Sequence, residues 1–295
     1  MPNRSEIIDL HMHTTASDGT DTPQALLENV RKAGITTFSV TDHDTVNAAQ
    51  ILCPLLMRGD PRFIPGAEFS CKDAHGKYHI LGYGFDPTAA SLHVLASRAH
   101  GLRMEKVKMR LALLETEYGF VFPPEEIDRL LSMDNPGKPH IGNLMVQYGY
   151  VRSKDEAMRD YLSRIRVQSG SIPPEDVIGG ILAGGGIPVL AHPCFGSGSD
   201  NIPADEMEKR VRRLMDFGLQ GIEAFYSGFS ETQRTDMLAL AEKYDLYVTA
   251  GSDYHGMNKT VVLGDTGLNG TDAFPDGLTR FLGDVGICSV DIISL

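Results

Sequence analysis

Short β-rich runs alternate with helical stretches along most of this 295-residue chain, and that order restricts it to folds in which crossover helices join neighbouring strands. Residues 7–12 read as a first strand, followed by a helix that Thr22-Pro23 opens and Gly34 closes after Arg31-Lys32. Threonine or Asp21 can cap that helix, and proline is preset for its first turn. Residues 36–41 form the second strand, 46–58 a helix, 63–69 the third strand and 78–85 the fourth. The alternation resumes with helix 174–183, strand 187–191, helix 204–217, strand 221–225, helix 231–244 and strand 247–251. The strands are expected to run parallel.

In between, from about residue 92 to 165, the β signal gives way to charged, Leu- and Met-rich helical text, broken near Asn135-Pro136-Gly137-Lys138-Pro139. The expected organisation is a barrel built from residues 1–91 and 166–295, carrying a helical insertion or cap at 92–165. An apolar content of 42% supplies an ordinary globular core. The polar start Met1-Pro2-Asn3-Arg4-Ser5-Glu6 is unlike an export signal, and no apolar run reaches membrane length, so a cytoplasmic location without membrane contact is expected. Cys53, Cys71, Cys194 and Cys288 show no paired spacing, which suits reduced thiols. A formal charge of −12 argues against long contacts along a nucleic-acid backbone and leaves room for a small phosphorylated substrate.

Four separated segments share a metal-ligand vocabulary: Asp9-Leu10-His11-Met12-His13 leading to Ser17-Asp18-Gly19, Thr41-Asp42-His43, Ala191-His192-Pro193, and Gly251-Ser252-Asp253-Tyr254-His255. Glu68 and His79 extend the set. Each group falls in or just beyond the end of a predicted strand, and a parallel barrel gathers such residues on its carboxyl face. His11 and His13, two apart on a strand, share a face and can reach one cation together. Taken singly, the pair reads more readily as structural histidines. With Asp18, His43, Glu68, His79, His192, Asp253 and His255 at equivalent positions, bound cations become the better reading, because the crowded carboxylates would otherwise lack compensation. Imidazole with carboxylate suits manganese, iron or zinc.

These motifs, in this order, resemble those of the PHP (polymerase and histidinol phosphatase) family of metal-dependent phosphoesterases, over nearly the whole chain. The resemblance implies a distorted (β/α)7 barrel with two to three divalent metal ions. It implies a first ion on His11, His13, Glu68 and Asp253, a second on Glu68, His79 and His192, and a third on Asp18, His43 and His255, with Glu68 as bridge. Thr41 and Asp42 are expected to orient their neighbours. A hydroxide shared by two cations about 3.5 to 4 Å apart is the expected nucleophile on phosphorus, with Glu68 and Asp253 as catalytic ligands.

Lys138-Pro139-His140 resembles an Arg-Pro-His segment that relatives use near the substrate phosphate. Lysine offers a point charge there where arginine offers a planar fork. His140 is the candidate proton donor to the leaving group, and Tyr226 and Ser227 are candidate pocket residues after a strand end. The expected activity is hydrolysis of a phosphate ester on a small sugar- or nucleotide-like molecule, such as a nucleoside 3′,5′-bisphosphate or a cyclic phosphate. The alternatives are 5′-to-3′ exonuclease action on short oligonucleotides and a non-catalytic PHP module; no family ligand position is missing, as it would be in the latter. The oligomeric state is left open.

Overall fold

The computed structural model describes residues 6–195, 201–268 and 273–288. The chain divides into two compact units, one formed by residues 1–96 and 172–295, the other by residues 97–171.

Among the described residues, seven strands build the first unit: β1 Ile8–Asp9, β2 Thr37–Val40, β3 Arg62–Lys72, β4 Lys77–Tyr83, β5 Ile187–Leu190, β6 Gly221–Tyr226 and β7 Tyr247–Gly251, neighbours in that order. Beyond the formal end of β1 the chain continues alongside β7. The Leu10 amide donates to the Ala250 carbonyl at 2.9 Å, Asp253 N–H to His11 O at 2.8 Å, and His13 N–H to Tyr254 O at 2.8 Å. These bonds bring the first strand to the last, giving a nearly closed, distorted (β/α)7 barrel.

Helices α1 (Pro23–Ala33) and α2 (Asn47–Leu52) connect the first three strands. Thr22 Oγ1 accepts from Ala25 N–H at the start of α1, and Gly34 ends it at φ +72°, a conformation glycine adopts without steric cost. Leu26, Leu27 and Val30 form the buried stripe of α1. The helix expected over 46–58 is shorter, giving way to a 3-10 turn at Cys53–Leu55, where Pro54 interrupts the α-helical hydrogen bonding.

One strand departs from the expected parallel sheet. β4 runs antiparallel to both β3 and β5. Only Asp73-Ala74-His75-Gly76 separates β3 from β4, too short for a crossover helix and long enough for a hairpin. Asp73 closes that turn by accepting from the amides of His75 and Gly76.

The cysteines also depart from expectation. Cys53 and Cys288 are disulfide-bonded, with Cα atoms 5.7 Å apart across 235 residues of sequence. A pairing made by the tertiary fold leaves no spacing to read in the chain. Cys71 and Cys194 are free and buried.

The same unit continues through α7 (Pro174–Ala183), α8 (Ala204–Asp216), α9 (Glu231–Lys243) and α10 (Asp276–Asp284). Helix numbers α3 to α6 belong to the intervening text: α3 Ala90–Tyr118, which begins in the first unit and ends in the second, α4 Pro124–Leu131, α5 Lys138–Gln147 and α6 Lys154–Glu156, followed by a π-helical turn at Ala157–Leu162. The second unit has its own core, in which Val107, Leu114, Ile141, Met145, Ala157 and Leu162 are fully buried. No helix among the described residues is long and apolar enough to cross a membrane.

Candidate metal centre

Glu68 is the hub of the cluster. It lies on β3, 1% exposed, and its two carboxylate oxygens face different sets of rings. Oε1 is 2.8 Å from His79 Nδ1 and 3.1 Å from His192 Nε2. Oε2 is 3.1 Å from His43 Nδ1 and 3.3 Å from both His11 Nε2 and His13 Nε2. The hairpin explains how His79 reaches this point from the start of a strand. Ser70 pairs with His79 across β3 and β4, and Glu68 is two residues before Ser70, so Glu68 and His79 share one face of the sheet. An antiparallel β4 thus brings its beginning to the mouth where the parallel strands end.

Asp253 closes the cluster from the segment after β7. Its Oδ1 is 3.3 Å from His13 Nε2 and His255 Nδ1, and 3.6 Å from His11 Nε2. Its Oδ2 turns outward, accepting from the Tyr226 hydroxyl at 2.8 Å and from Lys259 Nζ at 2.5 Å. His255 Nε2 lies 3.2 Å from Asp18 Oδ1. All nine expected ligands are therefore brought together. His192 and Asp253 sit at φ +27° and +59°, conformations that cost a non-glycine residue energy and persist where surrounding contacts hold them. The backbone amide of His192 donates to Glu223 Oε2 at 2.7 Å, and that of Asp253 to His11 O.

Among the described residues, three groups of donor atoms are close enough to share an ion: His11, His13 and Asp253; His43, Glu68 and His79; and His13, Asp18, His43 and His255. This grouping differs from the family-derived sets: it gives His13 and His43 to two groups each, puts Glu68 in one group only, and does not include His192. The donor set also passes a chemical test of fit. His11 Nε2, His13 Nε2 and Glu68 Oε2 are buried without a hydrogen-bond partner, an arrangement that a bound cation satisfies and an empty apolar pocket does not.

The electrostatics carry the same message. Burial alone would raise Glu68 and Asp253, yet the neighbouring histidines hold both carboxyls well below their usual range. Burial would lower His13, but Asp253 and Glu68 raise it to about 9. His43 goes the other way, to about 3, because burial outweighs its acidic neighbours. Without cations, protons on some of the rings balance the carboxylates.

A buried carboxylate that the motifs do not mark underlies the site. Glu223, on β6, accepts from His11 Nδ1–H at 2.9 Å, which fixes the tautomer that turns Nε2 toward the cluster. It sits at a register shift between β6 and β7, where a bulge re-aims side chains. Gly251, the last residue of β7, leaves the space: a Cβ there would lie 2.2 Å from His11 Cβ and 2.5 Å from Glu223 Oε1. Asp9 likewise holds the segment after β7, accepting from Ser252 N–H at 2.9 Å. The signal for both was an acidic residue inside an otherwise apolar strand. Asp42 anchors the loop leading to Asp18, accepting from Thr14 N–H at 2.7 Å and from the hydroxyls of Thr14 and Ser17 at 2.6 Å each.

Of the remaining candidates, Tyr226 touches Asp253, and Ser227 Oγ donates to the Ser252 carbonyl at 2.7 Å. Burial and Asp253 push the Tyr226 phenol upward, so it stays a donor. Lys138 and His140 lie in the first turn of α5 in the second unit. There the Gly137 amide donates to His140 Nδ1 at 3.1 Å, which leaves the proton of the neutral ring on Nε2.

Residues 9–166 match the family model described as PHP domain. The chain belongs to the PHP domain family. Among curated PHP relatives, the 5′-3′ exoribonuclease Rnm of Escherichia coli is 30% identical over 86% of each chain. The 3′,5′-nucleoside bisphosphate phosphatase of Chromobacterium violaceum is 29% identical over 84% of this chain and 87% of its own. A solved structure from Bifidobacterium adolescentis, proposed to be a metal-dependent phosphoesterase, superposes with a TM-score of 0.77 at 26% identity, covering 99% of both chains.

Proposed function

We propose that this metal-dependent PHP phosphoesterase hydrolyses a phosphate ester on a small nucleotide-like molecule, with a nucleoside 3′,5′-bisphosphate as the first candidate. The observation that carries the reading is Glu68, whose two oxygens face two different sets of imidazoles. Two to three divalent ions, manganese, iron or zinc by the chemistry of the donors, would be held by His11, His13, Glu68 and Asp253, by Glu68, His79 and His192, and by Asp18, His43 and His255. Bound there, such ions supply an activated water at neutral pH and a clamp for phosphoryl oxygens.

The protein's own groups do the rest. Glu223 holds the His11 ring in its ligand tautomer, Asp42 fixes the segment leading to Asp18, and Tyr226 orients Asp253. His140, with its proton on Nε2, is the proposed donor to the leaving group. Lys138 is the proposed contact for a phosphate remote from the reacting one. Tyr226 and Ser227 are proposed to border the substrate.

The acidic balance of the chain favours the small substrate, since 39 acidic side chains outnumber 27 basic ones and oppose contacts along a polynucleotide backbone. The Rnm relative keeps short RNA in view, because an enzyme that grips one terminal phosphate needs little positive charge. Metal-stripped protein reloaded with manganese should release inorganic phosphate from adenosine 3′,5′-bisphosphate. Stepwise nucleotide release from a short RNA, with the bisphosphate untouched, would replace this reading with the exonuclease one. Glu68→Gln should lower the occupancy of two ions together, and full metal stoichiometry in that variant would remove its bridging role.

A further inference from the structure

Lys259 stands four residues beyond His255, in a loop that no metal motif includes. Its side chain is 40% exposed, while its partner Asp253 is 7% exposed. The ammonium therefore reaches from solvent to the outer oxygen of a carboxylate whose inner oxygen faces His11, His13 and His255. It brings a cationic head group to the rim of a cluster made of imidazoles and carboxylates.

The loop that carries Lys259 is pinned. Met257 N–H donates to Thr20 Oγ1 at 2.9 Å, and Asn258 Nδ2 donates to the Asp18 carbonyl at 2.7 Å. Gly256 turns at φ +62°, and a Cβ there would come within 2.0 Å of Thr20 Oγ1. Met257 is 93% exposed, so hydrogen bonds and not apolar burial hold this turn in place. Both anchors belong to the segment that also supplies Asp18. The base of Lys259 is thus fixed relative to the ligands, and its four-carbon stem gives the head group reach.

We propose that Lys259 is the cationic contact for the phosphoryl group that reacts, a role distinct from the remote contact assigned to Lys138. This rests on the phosphoesterase reading above. The Lys259 side chain is 40% exposed and so only partly committed to its buried partner, and Asp253 already has the Tyr226 hydroxyl as a donor. Divalent ions held beside Asp253 would share its charge and weaken its hold on the ammonium, which would leave Lys259 able to meet a phosphoryl group. A cation at that point stabilises charge that builds on the phosphoryl oxygens during displacement.

The test compares wild type with Lys259→Ala, Lys259→Met and Lys259→Arg, each loaded with manganese, reading metal content, kinetics on adenosine 3′,5′-bisphosphate, and calorimetric binding of inorganic phosphate. The alanine and methionine variants should keep the wild-type metal content, lose about 10- to 100-fold in kcat/KM with much of the loss in kcat, and bind phosphate at least about tenfold more weakly. Arginine should restore part of both. Kinetics and phosphate affinity within about twofold of wild type in the alanine and methionine variants would overturn the proposal. So would a parallel loss of metal, which would make Lys259 a support for Asp253 only. Should the wild type hydrolyse nothing, the phosphoesterase reading fails by itself, and the calorimetry still decides this one: unchanged phosphate affinity on removing Lys259, or no phosphate binding at all, rejects it.

Discussion

Replacing Glu223 with Gln tests whether the centre depends on a residue that never touches a metal. Glu223 is fully buried and accepts two hydrogen bonds, Oε1 from His11 Nδ1–H at 2.9 Å and Oε2 from the His192 amide at 2.7 Å. Glutamine has nearly the same shape but only one acceptor oxygen. If that oxygen stays with the His192 amide, the NH2 group faces His11 Nδ1. The imidazole must then accept there, moving its proton to Nε2, the atom that faces Glu68 and Asp253. If the amide is reversed, donor meets donor at His192, at a cost of about 1–3 kcal/mol for an unsatisfied buried group. The first arrangement should weaken metal binding by about 10- to 100-fold, equivalent to about 1.4–2.7 kcal/mol. The assay is metal content after equilibrium dialysis against chelator-buffered manganese, held near the wild-type midpoint, with Tm followed in parallel. Wild-type occupancy together with wild-type Tm would refute the reasoning, because one of the two contacts must be either reversed or lost.

Other outcomes follow from the same geometry. In the metal-free protein His13 holds its proton up to about pH 9, so an incoming cation must displace it. Manganese affinity should therefore rise as pH rises from 6 to 9, by up to about tenfold per unit for each proton released; a pH-independent dissociation constant would contradict the assignment of His13 as a ligand. Gly251→Ala places a methyl group against His11 and Glu223, and should cost about 1–3 kcal/mol by denaturant unfolding, with activity falling too; wild-type stability and activity would show that the close packing is not required. Reducing the Cys53–Cys288 bond, or making Cys53→Ser, should lower stability by about 2–5 kcal/mol, since the bridge closes a 235-residue separation. Unchanged unfolding with and without reductant would mean the bond does not form in solution.

The barrel and its nine polar groups were legible because each feature is local or additive. Strand-and-helix alternation gave the element order, Thr22 and Gly34 marked the ends of one helix, and histidines two apart on a strand announced a shared face. What the chain text obscured depends on tertiary pairing. The antiparallel β4 had a signal in its four-residue connection to β3, which cannot house a crossover helix. The Cys53–Cys288 bond had none, as its partners meet only after the barrel has formed. Glu223 was readable as a charge in the apolar run Gly221-Ile222-Glu223-Ala224-Phe225, but its aim depends on a bulge that composition does not encode. Lys259 lies outside every motif, and its significance comes from the pinned loop that carries it to Asp253.

The most direct test is anomalous diffraction from crystals of the metal-loaded protein, with data collected on either side of the manganese, iron and zinc absorption edges. Two or three anomalous peaks are expected among the imidazoles and carboxylates around Glu68, two of them within bonding distance of its carboxylate oxygens. Fully loaded crystals with no peak in that cluster, or with a single peak that Glu68 does not touch, would contradict the account.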